Sequence, residues 1–270
     1  MSAMIALVAR SAYQIRFALL STIVLLFGLQ ILIIGQAVEI QRANSFGSVA
    51  SLLPGFLQRG LGSHALILAT FKGTVAFGYF HPIVCLTIAV LAMYPATEVA
   101  HEVEAGLVDL ELARAVPRHR LITRSLLLAH LAAAVVLVAM AAGTVLGVRA
   151  FAAADLDVPS LALRARLLLN QFAVVSCFAS FALLVASRAR RWSSAFTVAA
   201  LSAVVLYSLD FLSMGWRQME IVAWISPFHY FPALAIIAGD AALGRNIAIL
   251  FTTAAVLSTL AYWQFEHRDL

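Results

Sequence analysis

A chain of 270 residues with 63% hydrophobic and 11% charged content is not an ordinary water-soluble domain, where about a quarter of residues carry charge. Its apolar residues fall in blocks of about 18 to 24, the length a helix needs to cross ~30 Å of hydrocarbon, and they do not alternate as barrel strands do. The net charge of +5 is almost wholly arginine, with Lys72 the single lysine; in a membrane chain such a surplus sets orientation rather than nucleic-acid binding. An all-α polytopic membrane protein forming one transmembrane domain over 1–270 is predicted.

In chain order, residues 1–16 are too short and too interrupted to span. Ile5, Val8, Ala12 and Ile15 recur at helical spacing, which predicts a retained amphipathic helix in the cytoplasmic interface. The first span is expected at about 17–40. A Ser-, Gly- and Asn-rich loop with a turn at Pro54-Gly55 follows, then a short helix over 64–71 at the far surface. The second span is expected at about 74–94, bent or delayed by Pro82. An acidic helix at about 98–116 precedes the third span, at about 125–148. The fourth and fifth spans are placed at about 167–186 and 195–212. A semi-polar outer hairpin over 213–245 should dip into the membrane and return before a sixth span at about 247–265. Cys85 and Cys177 lie in apolar blocks and read as packing residues, since their spacing matches no disulfide framework or metal motif.

Ten basic residues fall on one side of this layout and eight on the other, but the first set clusters in short loops, where the orientation rule has most force. Both termini and the 98–124 stretch are therefore expected in the cytoplasm. That stretch holds five of the thirteen acids and four of the eighteen basic residues. On a helical wheel Val103, Leu107 and Leu110 form one stripe, with Glu102 and Asp109 on one edge and Glu104 and Glu111 on the other. Gly106 falls in mid-helix, where a second surface can approach closely, and Pro117 ends the helix. The stripe suits either lipid or a protein groove with basic rims. Acids on both edges are ill matched to an anionic leaflet and favour the groove.

The segment EVEAGLVDLELARAVPRHRLITRSLL, with its Glu, Gly, apolar run, Pro and Arg, resembles the corresponding motif of type-2 ABC transporter permeases. The ending YWQFEHRDL is similar to the finish of that family, and the six-span layout agrees. Leu107 stands where family members often carry Thr after the Gly. The resemblance implies that 98–116 is a coupling helix docking on an ATP-binding subunit through Glu102, Val103, Glu104, Gly106, Leu107, Asp109, Leu110 and Glu111. It implies two ATP-binding subunits and a second permease copy or related chain, in a bacterial-type inner membrane. ATP and Mg would reside in the partner, with no cofactor bound directly by this chain.

Residue chemistry narrows the alternatives. Lys72 lies between Phe71 and Gly73, so there is no P-loop and no catalytic role is assigned to this chain. His101-Glu102 opens like a zinc-protease motif, but Ala105 occupies the position of the second histidine. An integral-membrane redox or metal-binding subunit using His81, His101 or His130 is the second reading, although the depths of His81 and His130 do not match for haem. A non-transporting membrane assembly factor is the third. Gln30, His130, Asn170, Gln171, Ser176 and Ser180 are the polar groups expected either to line a path or to pack helices together. The primary expectation is the membrane-spanning subunit of an ATP-driven exporter.

Overall fold

The computed structural model describes residues 3–46, 55, 65–107 and 117–268. Among these residues, six helical segments are long and apolar enough to cross a membrane: Leu7–Arg42, Phe71–Glu104, Arg118–Phe151, Leu161–Arg188, Trp192–Ser213 and Leu243–Glu266. The protein is an all-α polytopic membrane protein.

Helix α1 runs unbroken over Ala3–Arg42. The separate interfacial helix expected at 1–16 is instead the first third of this one rod. No Gly or Pro interrupts the chain before Gly28, so nothing ends the helix. Forty residues at 1.5 Å each give about 60 Å, twice a hydrocarbon core. The early turns are held by protein: Ile15 is buried against Leu128 and Ala132.

A one-turn helix α2, Ala65–Leu68, precedes α3, Phe71–Phe80, whose first turn is capped by Thr70 Oγ1 accepting from Gly73 N at 3.0 Å. The second span then breaks at His81. Pro82 forces the residue before it out of the helical region (His81 φ −54°, ψ 135°) and opens α4, Pro82–Ala96, as its first residue. His81 Nδ1 accepts from Ile83 N at 3.2 Å and caps the new helix.

A short helix α5, Glu98–Glu104, leads towards the third span, α6, Arg118–Phe151. Helices α7, Leu161–Arg188, and α8, Trp192–Ser213, follow. Next come α9, Arg217–Ala223, a 3₁₀ turn at Pro227–Tyr230, and α10, Ala233–Ala238. The two arms of this hairpin, Arg217–Ala223 and Pro227–Ala238, meet at 84°. Each arm alone is too short for ~30 Å of hydrocarbon. Gly239, at φ 90°, ends α10 before α11, Leu243–Glu266.

Ser11, Glu98, Arg118 and Ser187 lie at one end of the bundle, here called the Glu98 end; Arg42, Phe151 and Ser160 mark the other. Helix α7 is the most enclosed of the spans and packs on α4, α6, α8 and α11. Helices α1 and α6 run side by side in the same direction, and two small residues let them approach. A methyl at Gly143 would sit 2.8 Å from Phe27 O, and one at Gly147 would sit 2.8 Å from Ile34 Cδ1. This Gly-x-x-x-Gly spacing brings backbones close enough for dispersion to replace the hydrophobic force that lipid removes.

Candidate functional site: the Glu98–Arg124 turn

The segment between α4 and α6 is built on two carboxylates one helical turn apart. Glu98 and Glu102 share a face of α5, and that face turns inward. Opposite stands Arg124, one turn and a half into α6 and fully buried. Arg124 Nη1 donates to Glu102 Oε1 at 2.8 Å and Nη2 to Glu102 Oε2 at 2.7 Å, a bidentate fork. Glu98 Oε2 lies 3.9 Å from the same guanidinium, while Glu98 Oε1 accepts from Ser11 Oγ of α1 at 2.7 Å. One arginine thus gathers α1, α5 and α6 in a desolvated cluster. Removing one member of such a buried pair typically costs ~3–5 kcal/mol, because the other charge is left without compensation.

The outer side of the segment is tied to α8. Glu104 Oε2 accepts from Trp192 N at 2.8 Å, placing a carboxylate on the first turn of α8. Trp192 Nε1 donates to Thr97 Oγ1 at 3.1 Å, so both ends of α5 are pinned to one residue. The chain then turns. Gly106 adopts φ 66° and its N–H bonds Val103 O at 3.1 Å, the left-handed closure that favours glycine at a helix C-terminus.

These observations revise two sequence expectations. Glu102, expected with Asp109 on one edge of the docking stripe, is 2% exposed and faces Arg124. Gly106, expected in mid-helix, ends α5, so the wheel drawn through 98–116 loses its phase there. Val103 and Leu107 are half-buried, and Glu104 is exposed. Asp109, Leu110 and Glu111 lie outside the described residues. Arg124, Ser11, Thr97 and Trp192 were not expected at this site. The available signal was Arg124 itself, a charge set among Leu121, Ile122, Leu126 and Leu127 with two acids at matching spacing upstream.

The same end carries a second lock. Arg118 Nη1 donates to Glu266 O at 3.2 Å and Arg268 O at 2.7 Å, closing the end of α11. Arg268 in turn donates to Ser187 O at 3.0 Å and Ala189 O at 2.9 Å, closing the end of α7. Burial first, and the charge of Arg190 second, lower the Arg268 guanidinium from its ordinary value.

The residues expected along a path separate into different seams. Gln30 Oε1 accepts weakly from Thr144 Oγ1 at 3.5 Å, and Thr144 bonds Tyr79 at 2.6 Å, between α1, α3 and α6. Ser180 bonds Ser258 at 2.9 Å on the α7–α11 seam, while Ser176 Oγ returns to Phe172 O at 2.8 Å. Asn170 and Gln171 are buried, and among the described residues their amide groups have no hydrogen-bond partner. His130 Nδ1 lies 2.8 Å from Leu126 O, with its ring edge-on to Phe172. His81 and His101 meet Phe77 and Trp192 respectively, so the three histidines occupy separate surroundings. Among the described residues no three His, Cys, Asp or Glu side chains converge as a metal site.

No curated protein and no solved structure matches the chain. A family model does, over residues 42–266, from inside the last turn of α1 to the end of α11. It therefore takes in α5, Arg124 and all the later spans. Its description is the multidrug efflux system permease Rv1217c, C-terminal domain, and the chain belongs to that family of membrane permeases.

Proposed function

We propose that this permease is the membrane-spanning subunit of an ATP-driven ABC-type exporter of the type-2 class. In this reading the chain sits in a plasma (inner) membrane with both termini and the 98–116 stretch in the cytoplasm. ATP and Mg are held by separate subunits that dock on that stretch, and a second permease copy or related chain completes the path. The observation that carries the proposal is the bidentate Glu102–Arg124 pair. A force applied to the docking segment is useful only if the segment cannot move independently of a span. The buried fork joins α5 to α6, Ser11 extends the joint to α1, and Trp192 extends it to α8. A push on the turn at Gly106 would therefore reach three spans together. The family description, efflux, supports outward transport of small molecules.

The test is co-purification of the tagged permease with an ABC-type ATP-binding subunit, followed by ATPase measurement in lipid. Charge reversal at Glu104, Asp109 and Glu111 should abolish the complex, or its ATPase coupling, while membrane insertion stays normal. If the triple variant assembles and couples like wild type, the docking reading is wrong.

A further inference from the structure

The Glu98 end carries a pocket whose wall includes Glu98 and Trp192, two residues of the joint described above. It measures about 210 Å³ and is lined by Gln14, Ile15, Tyr94, Pro95, Glu98, His101 and Trp192. It adjoins a more open surface groove of about 380 Å³, the two sharing Tyr94, which runs between α1, α4 and α8 past Thr87, Val90, Leu91 and Phe196. Together they line one open groove, with Glu98 and His101 at one end and mainly apolar residues at the other.

Its walls are aromatic and rigid. Trp192 stacks on Phe196 at 5.3 Å and meets Tyr94 edge-on at 5.6 Å, and Tyr94 meets Phe196 at 6.1 Å. The indole is fixed by its Nε1 bond to Thr97, so the cluster stands ready without a ligand. Glu98 lies in the wall of the smaller cavity. Its Oε2 receives no hydrogen bond, because Arg124 gives both Nη groups to Glu102 and approaches Glu98 only to 3.9 Å. Arg10 also lies near enough to act on Glu98, yet among the described residues no Lys or Arg lines either cavity. Aromatic faces beside a carboxylate attract cations and repel anions, while the apolar slot behind them takes hydrocarbon or aryl groups.

We infer that this groove binds a lipophilic organic cation, its charge between Tyr94, Trp192 and Glu98 and its apolar body in the slot towards Phe196. The inference rests on the transport reading for its physiological meaning, since it names the class of molecule the permease would export; the binding itself is independent of it.

The test uses tetraphenylphosphonium as probe and tetraphenylborate, nearly the same shape with opposite charge, as its counterpart. Equilibrium dialysis against the purified full-length permease should show saturable tetraphenylphosphonium binding, and a separate dialysis should show much weaker binding of tetraphenylborate. Glu98→Gln keeps the Ser11 hydrogen bond and removes the charge; it should weaken the cation by about tenfold. Tyr94→Leu removes an aromatic face without touching any charge and should weaken it by about fivefold. Wild-type binding in both variants, or equally tight binding of the borate in its own dialysis, overturns the inference. If Glu98→Gln does not yield folded protein, unchanged binding by Tyr94→Leu overturns it alone. A permease that captures its ATP-binding partner but not the cation defeats this inference and leaves the transport reading standing. One that binds the cation but captures no such partner does the reverse.

Discussion

The Glu102–Arg124 fork gives a ranked prediction. Arg124→Met removes a fully buried guanidinium and leaves two carboxylates, Glu98 and Glu102, without their shared partner. Breaking a buried pair costs ~3–5 kcal/mol, so this variant should sit at or above the upper end. Glu102→Gln is milder. The amide oxygen still accepts one guanidinium bond, and Glu98 Oε2, already 3.9 Å from Arg124, can take up the freed charge. About 2–3 kcal/mol is expected, between one ordinary charged hydrogen bond and the loss of the whole pair. Glu98→Gln keeps the fork intact and loses only the longer contact, for about 1 kcal/mol. The double variant Glu102→Gln with Arg124→Met removes both charges and should be less damaged than Arg124→Met alone, giving a favourable coupling in a double-mutant cycle. The assay is unfolding of detergent-purified protein, followed as the monodisperse fraction surviving stepwise heating. Equal losses for Arg124→Met and Glu98→Gln, or strictly additive single effects, would refute the cluster as described.

Three further predictions test other joints. Gly143→Val places branched carbon where a single methyl would already stand 2.8 Å from Phe27 O, so α1 and α6 must separate; the loss should exceed ~2 kcal/mol and appear as aggregation on size-exclusion chromatography. Gly106→Ala forces an L side chain to φ 66° in open space, costing about 1 kcal/mol; protein yield should be unchanged while partner-stimulated ATPase falls. Arg268→Ala removes two bonds to the end of α7 at about 1 kcal/mol each, and proteolysis of the last residues should accelerate without loss of the core fragment.

The spans were legible because lipid imposes a simple rule: every backbone polar group must be satisfied within its own helix, so length and hydropathy suffice. Pro82 was read as a disturbance and is a full break, since the residue before a proline leaves the helical region. The hairpin before α11 was legible from its punctuation at Gly215, Pro227, Pro232 and Gly239. The end of the N-terminal helix was misplaced for a converse reason. Arg10 and Arg16 look like interruptions in a hydropathy profile, but arginine is a good helix former and does not stop a rod that packs on α6. The Gly143/Gly147 pair carried a spacing signal that points to close helix approach, but its partner helix is set only by the three-dimensional pairing with α1.

The sequence singles out the segment after Glu98 but not the pairing inside it, and that pairing changes what mutagenesis should find. A helical wheel treats 98–116 as one phase, which puts Glu102 in line with Asp109 and Glu104 in line with Glu111. Gly106 closes α5 with a left-handed residue, so a wheel drawn from the acids before it keeps its phase only to that point. The two inward acids, Glu98 and Glu102, are spaced four apart within the unbroken part, and their partner is 22 residues beyond Glu102, across the turn. Periodicity within a segment cannot reveal a pairing across one. Charge reversal should accordingly split the acids into two classes. Glu102→Arg meets Arg124 inside the bundle, two buried like charges with only Glu98 to share between them, and should abolish folded protein altogether. Glu104→Arg loses an exposed cap on α8, worth about 1 kcal/mol, and should leave a folded permease altered in partner coupling. The readout is detergent-soluble monodisperse yield for both variants, followed by ATPase coupling for whichever survives. Robust yield of Glu102→Arg would mean that the carboxylate faces outward in the working protein, and that the segment is a free docking helix rather than the end of a lever.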